Sequence, residues 1–228
     1  MPGLAAHNPG EIPWTQLPPS CLVAMHWNRG EEFTNFLTDH GFRIVITTRH
    51  PLDVLISILH FSPHEPATDR WLEGECGNER VLEGATPTSH AFADYCLGRR
   101  AARLLQVSVE WLKTAETVVK YEDLLRDPAA ELRRVLAYFG AGINADVEVV
   151  VEANRIEKLR GFSVHHFWRG QAGLWKHLID RELATAICQR HREVFDTFGY
   201  NCEGAASLSP EQIDRVWQEL NQPQVVAS

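Results

Sequence analysis

Lysine is nearly missing from this 228-residue chain: there are four, Lys113, Lys120, Lys158 and Lys176, and none precedes position 113. A phosphate loop that depends on a lysine in the N-terminal part of the chain is thereby excluded, and no Gly-x-x-x-x-Gly-Lys-[Ser/Thr] segment is present. Long apolar runs are also lacking. No uninterrupted stretch approaches the ~20 residues needed to span a bilayer, and the N-terminus has no basic-then-apolar signal pattern, so a soluble, cytoplasmic protein is expected. Positive charge is in deficit, with 22 Lys and Arg against 30 Asp and Glu and a net charge of −8. That balance argues against nucleic-acid partners and wide anionic-membrane contact, while leaving room for a local basic pocket. The five cysteines, Cys21, Cys76, Cys96, Cys188 and Cys202, are odd in number and contain no Cys-x-x-Cys pair. They read as reduced thiols rather than a disulfide framework or a zinc knuckle.

What is present suits one globular domain. Surface scaling predicts about 10,500 Å² exposed after folding against about 37,000 Å² for the extended chain, so roughly 70% should be buried. Residues 1–20 hold five prolines and two glycines and read as an extended arm. Residues 21–205 read as the domain, and 206–228 as a C-terminal helix and tail.

Cys21-Leu-Val-Ala-Met25 is short and apolar and predicts a buried strand. A helix is expected over about 31–40, closed by Gly41. Arg43-Ile-Val-Ile-Thr-Thr48 is the β-branched run of a strand covered on both faces in a parallel sheet. Pro51 suits the first turn of the next helix, with Leu52, Leu55, Ile56 and Leu59 as its buried stripe and His50, Asp53, Ser57 and His60 opposite. Residues 62–87 lack periodicity and carry six acids against two arginines; so long an irregular stretch is usually functional or mobile. Ser89 to Leu112 is helical in composition, and Thr117-Val-Val-Lys120 predicts the third strand. Asp127-Pro128 starts a helix with core face Leu132, Val135, Leu136 and Phe139, stopped at Gly140. Leu183, Ile187, Val194 and Phe198 mark a further helix ending at Gly199. Ser209-Pro-Glu-Gln212 resembles a capping box before a last helix. Strands alternating with helices make an α/β protein with a parallel sheet flanked by helices in three layers.

Ligands of open parallel sheets bind beyond the carboxyl ends of the strands. The residues just past the three expected strands are His26, Arg49 and Tyr121: an acid–base group, an anion-binding guanidinium and an aromatic hydroxyl. Arg49 lies between a strand and a proline-started helix, where backbone N–H groups already favour an anion. Ser57, two turns on, can add a hydrogen bond.

Three segments carry a resemblance. Arg49-His-Pro-Leu-Asp-Val-Leu-Ile-Ser57 resembles the 3′-phosphate-binding segment of the PAPS-dependent sulfotransferases, in which an Arg closes a strand, an Asp follows four residues later and a Ser eight residues later. Val118-Val-Lys-Tyr-Glu-Asp-Leu-Leu-Arg-Asp-Pro128 resembles the family's strand and Tyr-Glu-Asp-Leu turn. Phe167-Trp-Arg-Gly-Gln-Ala-Gly-Leu-Trp-Lys176 resembles its late loop, which folds over the nucleotide. The resemblance implies a P-loop-NTPase-like fold and transfer of a sulfuryl group from PAPS (3′-phosphoadenosine 5′-phosphosulfate) to a hydroxyl or amine of a small-molecule or glycan acceptor. By the same resemblance, Arg49 and Ser57 hold the 3′-phosphate, Tyr121 lies near the adenosine, and Arg169 with Gly170 closes on the phosphate. His26, 23 residues before Arg49, corresponds to the catalytic base. A histidine titrating near 6.5 suits that task, because sulfuryl transfer is mostly in-line positioning plus a base for the acceptor's proton.

The sequence departs from the pattern in four places. The Pro-Lys-Ser-Gly-Thr-Thr-Trp-like loop that wraps the 5′-phosphosulfate has no counterpart, so on the family's order the chain begins after its N-terminal strand and loop. Trp168 replaces one of the paired basic residues of the late loop, Leu174 replaces the usual Asp before Trp175, and no Thr-Ser-Phe-type adenine segment is evident near Ala153-Asn-Arg-Ile156. A catalytically inactive relative, or a truncated fragment that binds a 3′-phosphonucleotide or a protein partner only, is therefore the alternative. A P-loop kinase ranks last for want of its motif. A chain missing the first strand and its helix is also expected to expose sheet edge and apolar surface. His60 and His64 have an i, i+4 spacing suited to a metal, but Pro63 breaks the helix that would align them and no third ligand is apparent, so no metal is expected. Residues 62–87, with Trp71, are a candidate gate for the acceptor.

Overall fold

The structure is a computed structural model that describes residues 8–18, 21–65, 68–74, 79–140, 146–163, 165–205 and 207–222. Cys76, the start of the arm, the end of the tail and part of the 62–87 segment lie outside the described residues. The elements run α1 (Glu31–Asp39), β1 (Val45–Thr48), α2 (Pro51–Phe61), α3 (His90–Leu97), α4 (Arg99–Leu112), β2 (Thr117–Lys120), α5 (Tyr121–Arg126) and α6 (Pro128–Phe139). They continue with α7 (Val147–Ala153), α8 (Ile156–Leu159), α9 (Trp175–Leu178), α10 (Arg181–Arg190), α11 (Arg192–Phe198) and α12 (Pro210–Asn221). Among the described residues the sheet has two strands, β1 and β2, paired in parallel from Val45↔Thr117 to Thr48↔Lys120. The fold is thus α/β, rich in helix around a small parallel sheet.

Local chemistry accounts for most boundaries. Pro51 opens α2, and the His50 ring accepts from the Leu52 N–H. Asp127 caps α6 through Ala130 N–H, and Gly140 ends it at φ +63°. Ser209 and Gln212 form the reciprocal capping box of α12. Gly98 divides the helix expected over Ser89–Leu112. It is extended (ψ 176°) and serves as C-cap of α3 and N-cap of α4, and a Cβ there would lie 2.7 Å from the Asp94 carbonyl oxygen.

The main core packs the apolar stripe of α2 (Leu52, Leu55, Ile56, Leu59) against Phe92, Trp175, Leu178, Ile187 and Phe195. A second, aromatic core joins Leu37, Ile46 and Trp111 to Trp14, Phe33, Phe36 and Phe42. Trp111 fixes the preceding chain by donating to the Trp27 carbonyl at 2.8 Å.

Two expectations are corrected. Cys21–Met25 is not a strand: residues 21–30 have no regular structure, and Leu22 is 93% exposed. An apolar run becomes a strand only where a neighbour completes its hydrogen bonds, and β1 pairs with β2 instead. Burial is also less complete than mass alone predicts. The accessible surface is 13,724 Å², well above the scaling value of about 10,500 Å². No residue of α6 is buried; its stripe of Leu132, Val135, Leu136 and Phe139 is half-covered. The described residues of segment 62–87 are largely 3-10 turns (Ser62–His64, Thr68–Gly74, Glu79–Leu82), and Leu82 and Thr68 are fully buried.

Candidate functional site

Register brings the first two site residues together. Thr48 pairs with Lys120 at the carboxyl ends of β1 and β2, so Arg49 and Tyr121, each one residue further, leave the sheet side by side. The Arg49 guanidinium lies over the Tyr121 ring, 4.6 Å from its centroid, a cation–π contact. One amino group of Arg49 donates to the Gln171 carbonyl at 2.9 Å, while its Nε is buried with no hydrogen-bond partner. Burial raises the Tyr121 phenol above its ordinary value, and the neighbouring guanidinium offsets part of the rise.

The turn from β1 into α2 is held from below. Glu122 accepts from the His50 N–H at 2.9 Å and from the Tyr200 hydroxyl at 2.8 Å. The His50 Nδ1 accepts from Leu52, which leaves Nε2 to donate to the Asn201 carbonyl at 2.8 Å. The His50 ring also stacks on Trp175 at 4.7 Å, and burial lowers its pKa.

The late loop is strapped by charged side chains at three points. Asp53, fully buried, accepts from Gly173 N–H at 2.5 Å and Trp175 N–H at 3.0 Å. Arg160 donates to the carbonyls of Phe167, Trp168 and Arg169 at 2.8 to 3.2 Å, and Arg49 takes Gln171. Gly170 and Gly173 have φ of +63° and +82°, the left-handed region that glycine enters without a Cβ penalty.

The remaining expected residues are spread around this core. Gly170 sits in the loop beside Gln171, and Ser57 lies half-buried on α2 one turn past Asp53. Arg169 donates to the Leu220 carbonyl at the end of α12, and its Nε is buried and unpartnered. Burial, with Arg160 nearby, lowers its pKa. His26 lies in the irregular segment rather than at a strand end. Crowding by protein atoms, and secondarily repulsion from His166, holds its imidazole below 6.5. By accessible surface the residue is nevertheless exposed. An open groove of about 390 Å³ is lined by Leu125, Gly170–Leu174 and His177; Arg49, Ser57 and His26 do not line it.

A family model described as the sulfotransferase domain matches residues 31–199, well over half of the chain. The chain belongs to the sulfotransferase family. No curated protein matches it. Among solved structures, the chain is similar to mouse sulfotransferase SULT7A1 complexed with PAP, at 12% identity and a TM-score of 0.51 over 80% of this chain. The alignment spans 65% of the mouse chain, so the likeness concerns the fold and a part of that protein's length. No helix among the described residues of this chain is long and apolar enough to cross a membrane.

Sequence reasoning placed His50 and Asp53 on the stripe of α2 opposite the buried one and gave neither a role of its own, and it passed over Glu122 and Arg160. The Asp four residues after Arg49 in the family's pattern was the available signal for Asp53. Nothing local marks Arg160, whose partners are carbonyl groups that any sequence supplies.

Proposed function

We propose that this chain is a sulfotransferase using PAPS as donor, with Arg49 and Ser57 holding the 3′-phosphate and Tyr121 flanking the adenosine. One observation carries the reading: at the strand-to-helix turn, a guanidinium stacked on Tyr121 keeps a buried Nε with no partner. An unspent cationic donor in that place fits an anion. Gly170 lets the loop backbone come close, and Arg169, with its own unpartnered Nε, swings from Leu220 to complete the closure. When bound, the donor supplies the activated sulfuryl group. His26 supplies the proton acceptor: a neutral, reachable imidazole takes the proton of an acceptor hydroxyl or amine on a small molecule or glycan. Exclusion of water falls to the strapped late loop.

A specific observation favours a second reading, a protein that binds the 3′-phosphonucleotide without turnover. No lysine precedes Lys113, and Lys120 is committed to the Phe198 carbonyl at 2.7 Å. Lys120, the lysine at the carboxyl end of β2, is thus not free to stabilise the oxygen from which the sulfuryl group departs.

Calorimetric titration with 3′-phosphoadenosine 5′-phosphate separates these outcomes. Saturable binding is expected. Arg49→Ala, checked for folding by circular dichroism, should weaken it about 10- to 150-fold, the equivalent of a charge-assisted hydrogen bond worth about 1.5–3 kcal/mol. Equal affinity in wild type and Arg49→Ala refutes the site. Sulfuryl transfer that vanishes in His26→Ala, with nucleotide affinity kept, supports the enzyme; nucleotide binding without transfer to any hydroxyl or amine acceptor supports the second reading.

A further inference from the structure

A cluster of histidines lies apart from Arg49. His60 ends the buried face of α2, His64 sits in the following 3-10 turn, and His165 arrives from the segment leading into the late loop. One ring nitrogen from each lies within 4.8 Å of the others. The third ligand that local spacing could not supply therefore comes from a distant part of the chain.

His60 is the buried member, at 8% exposure. Its protonation pattern follows from its partner. The Asn221 side-chain NH₂ donates to the Trp217 carbonyl at 2.9 Å, which leaves the Asn221 Oδ1 to accept from His60 Nδ1 at 2.7 Å. Nδ1 carries the proton, and Nε2 carries the lone pair. That Nε2 is buried and has no hydrogen-bond partner, a costly state that calls for an explanation. An outer N–H held by an amide oxygen with the other nitrogen left free is how metal-ligating histidines are oriented. Stacking on Trp168, at 4.1 Å and 9° between planes, fixes the His60 ring.

We propose that His60, His64 and His165 form a binding site for a divalent transition metal of borderline softness, zinc in the first place, with a fourth position left to water. Three neutral imidazoles suit that class of ion. A tetrahedral site with metal–nitrogen bonds of about 2.0–2.1 Å sets its ligand nitrogens about 3.3 Å apart, so the cluster closes by at most about 1.5 Å. Closure requires the His64 and His165 rings, stacked at 3.6 Å, to turn until their lone pairs converge on the Nε2 of His60. Both side chains are exposed, so the rotation meets little packing. The bound ion ties the end of α2 to the segment that carries Trp168 and Arg169. The site stands independently of the nucleotide reading.

The test uses the full chain, stripped with a chelator and titrated with Zn²⁺ against a chromophoric competitor, then with Co²⁺ to record its visible spectrum. One ion per chain, with the intense visible bands of tetrahedral Co²⁺, is expected. His64→Ala and His165→Ala, both at exposed positions, should each weaken binding at least about tenfold, within the range that loss of even a supporting group causes, while His90→Ala leaves it unchanged. Unchanged affinity in both variants, or wild-type binding no tighter than that left when either ligand is removed, overturns the proposal. Imidazole NMR of the wild type gives a check free of mutation: zinc should shift His60, His64 and His165, and shifts confined to other histidines overturn the site.

Discussion

Asp53→Asn is the most direct probe of how the late loop is held. The wild-type carboxylate, fully buried, accepts from Gly173 N–H at 2.5 Å and Trp175 N–H at 3.0 Å. Asparagine keeps the shape but only one accepting oxygen; its NH₂ group faces the second backbone N–H, donor against donor. The variant weakens one charge-assisted bond to a neutral one and orphans one buried N–H. At about 1.5–3 kcal/mol for a hydrogen bond to a charged group and about 1–3 kcal/mol for an unsatisfied one, less the relief of no longer burying a charge, the cost is about 2–4 kcal/mol. For a chain of this size that lowers Tm by about 5–15 °C. Urea denaturation followed by tryptophan fluorescence reads the loss, with Trp175 reporting from the loop itself. Ser57→Ala, half-buried on the same helix, serves as reference and should stay within about 0.5 kcal/mol. An Asp53→Asn variant within that same margin of wild type would show that the strap contributes nothing, and the account of the loop would fail.

Two further outcomes follow from the structure. Gly170→Ala forces a side chain into φ +63° and sets its Cβ 2.8 Å from the Ile156 side chain. It should cost about 1–2 kcal/mol for the left-handed backbone alone, and a thermal melt matching wild type would contradict that. Glu79 is 2% exposed with an unpartnered Oε2, and burial raises its pKa above 4.5. Below 4.5 both folded and unfolded states hold the proton and nothing is lost; as pH rises past 4.5 and through the folded value, the folded state must carry a buried charge and loses stability. Glu79→Gln should therefore stabilise the protein at pH 7, with the gain fading below about pH 4.5 in parallel urea titrations, and a gain independent of pH would refute the cause.

Punctuation was readable in the sequence because its chemistry is local. Pro51, Asp127-Pro128 and the Ser209–Gln212 box open helices through atoms within a few residues of one another, and Gly41, Gly140 and Gly199 close them at positive φ. Arg49 and Tyr121 were also within reach, since the strands that place them are marked by β-branched runs. Cys21–Met25 misled because apolar composition does not say whether a pairing edge exists. The Gly98 break was hidden because glycine is also tolerated inside helices. Asp53 to Gly173, His165 to His60 and Arg169 to Leu220 all join parts of the chain separated by dozens of residues or more. One sequence holds no local trace of such meetings, so the straps of the loop and the histidine cluster appear only in three dimensions.

The four-rung ladder between β1 and β2 also acts as a gauge. Both strands rise about 3.3 Å per residue, and a slip of two residues is the smallest that keeps every side chain on its own face. Such a slip would carry Arg49 about 6.6 Å along the sheet, beyond the reach of its 4.6 Å contact with Tyr121 and away from the carbonyl of Gln171. The spacing of the site is thus written in which valine faces which threonine, and an error in pairing there during folding would leave a sheet of the same composition with its Arg49–Tyr121 pair dismantled.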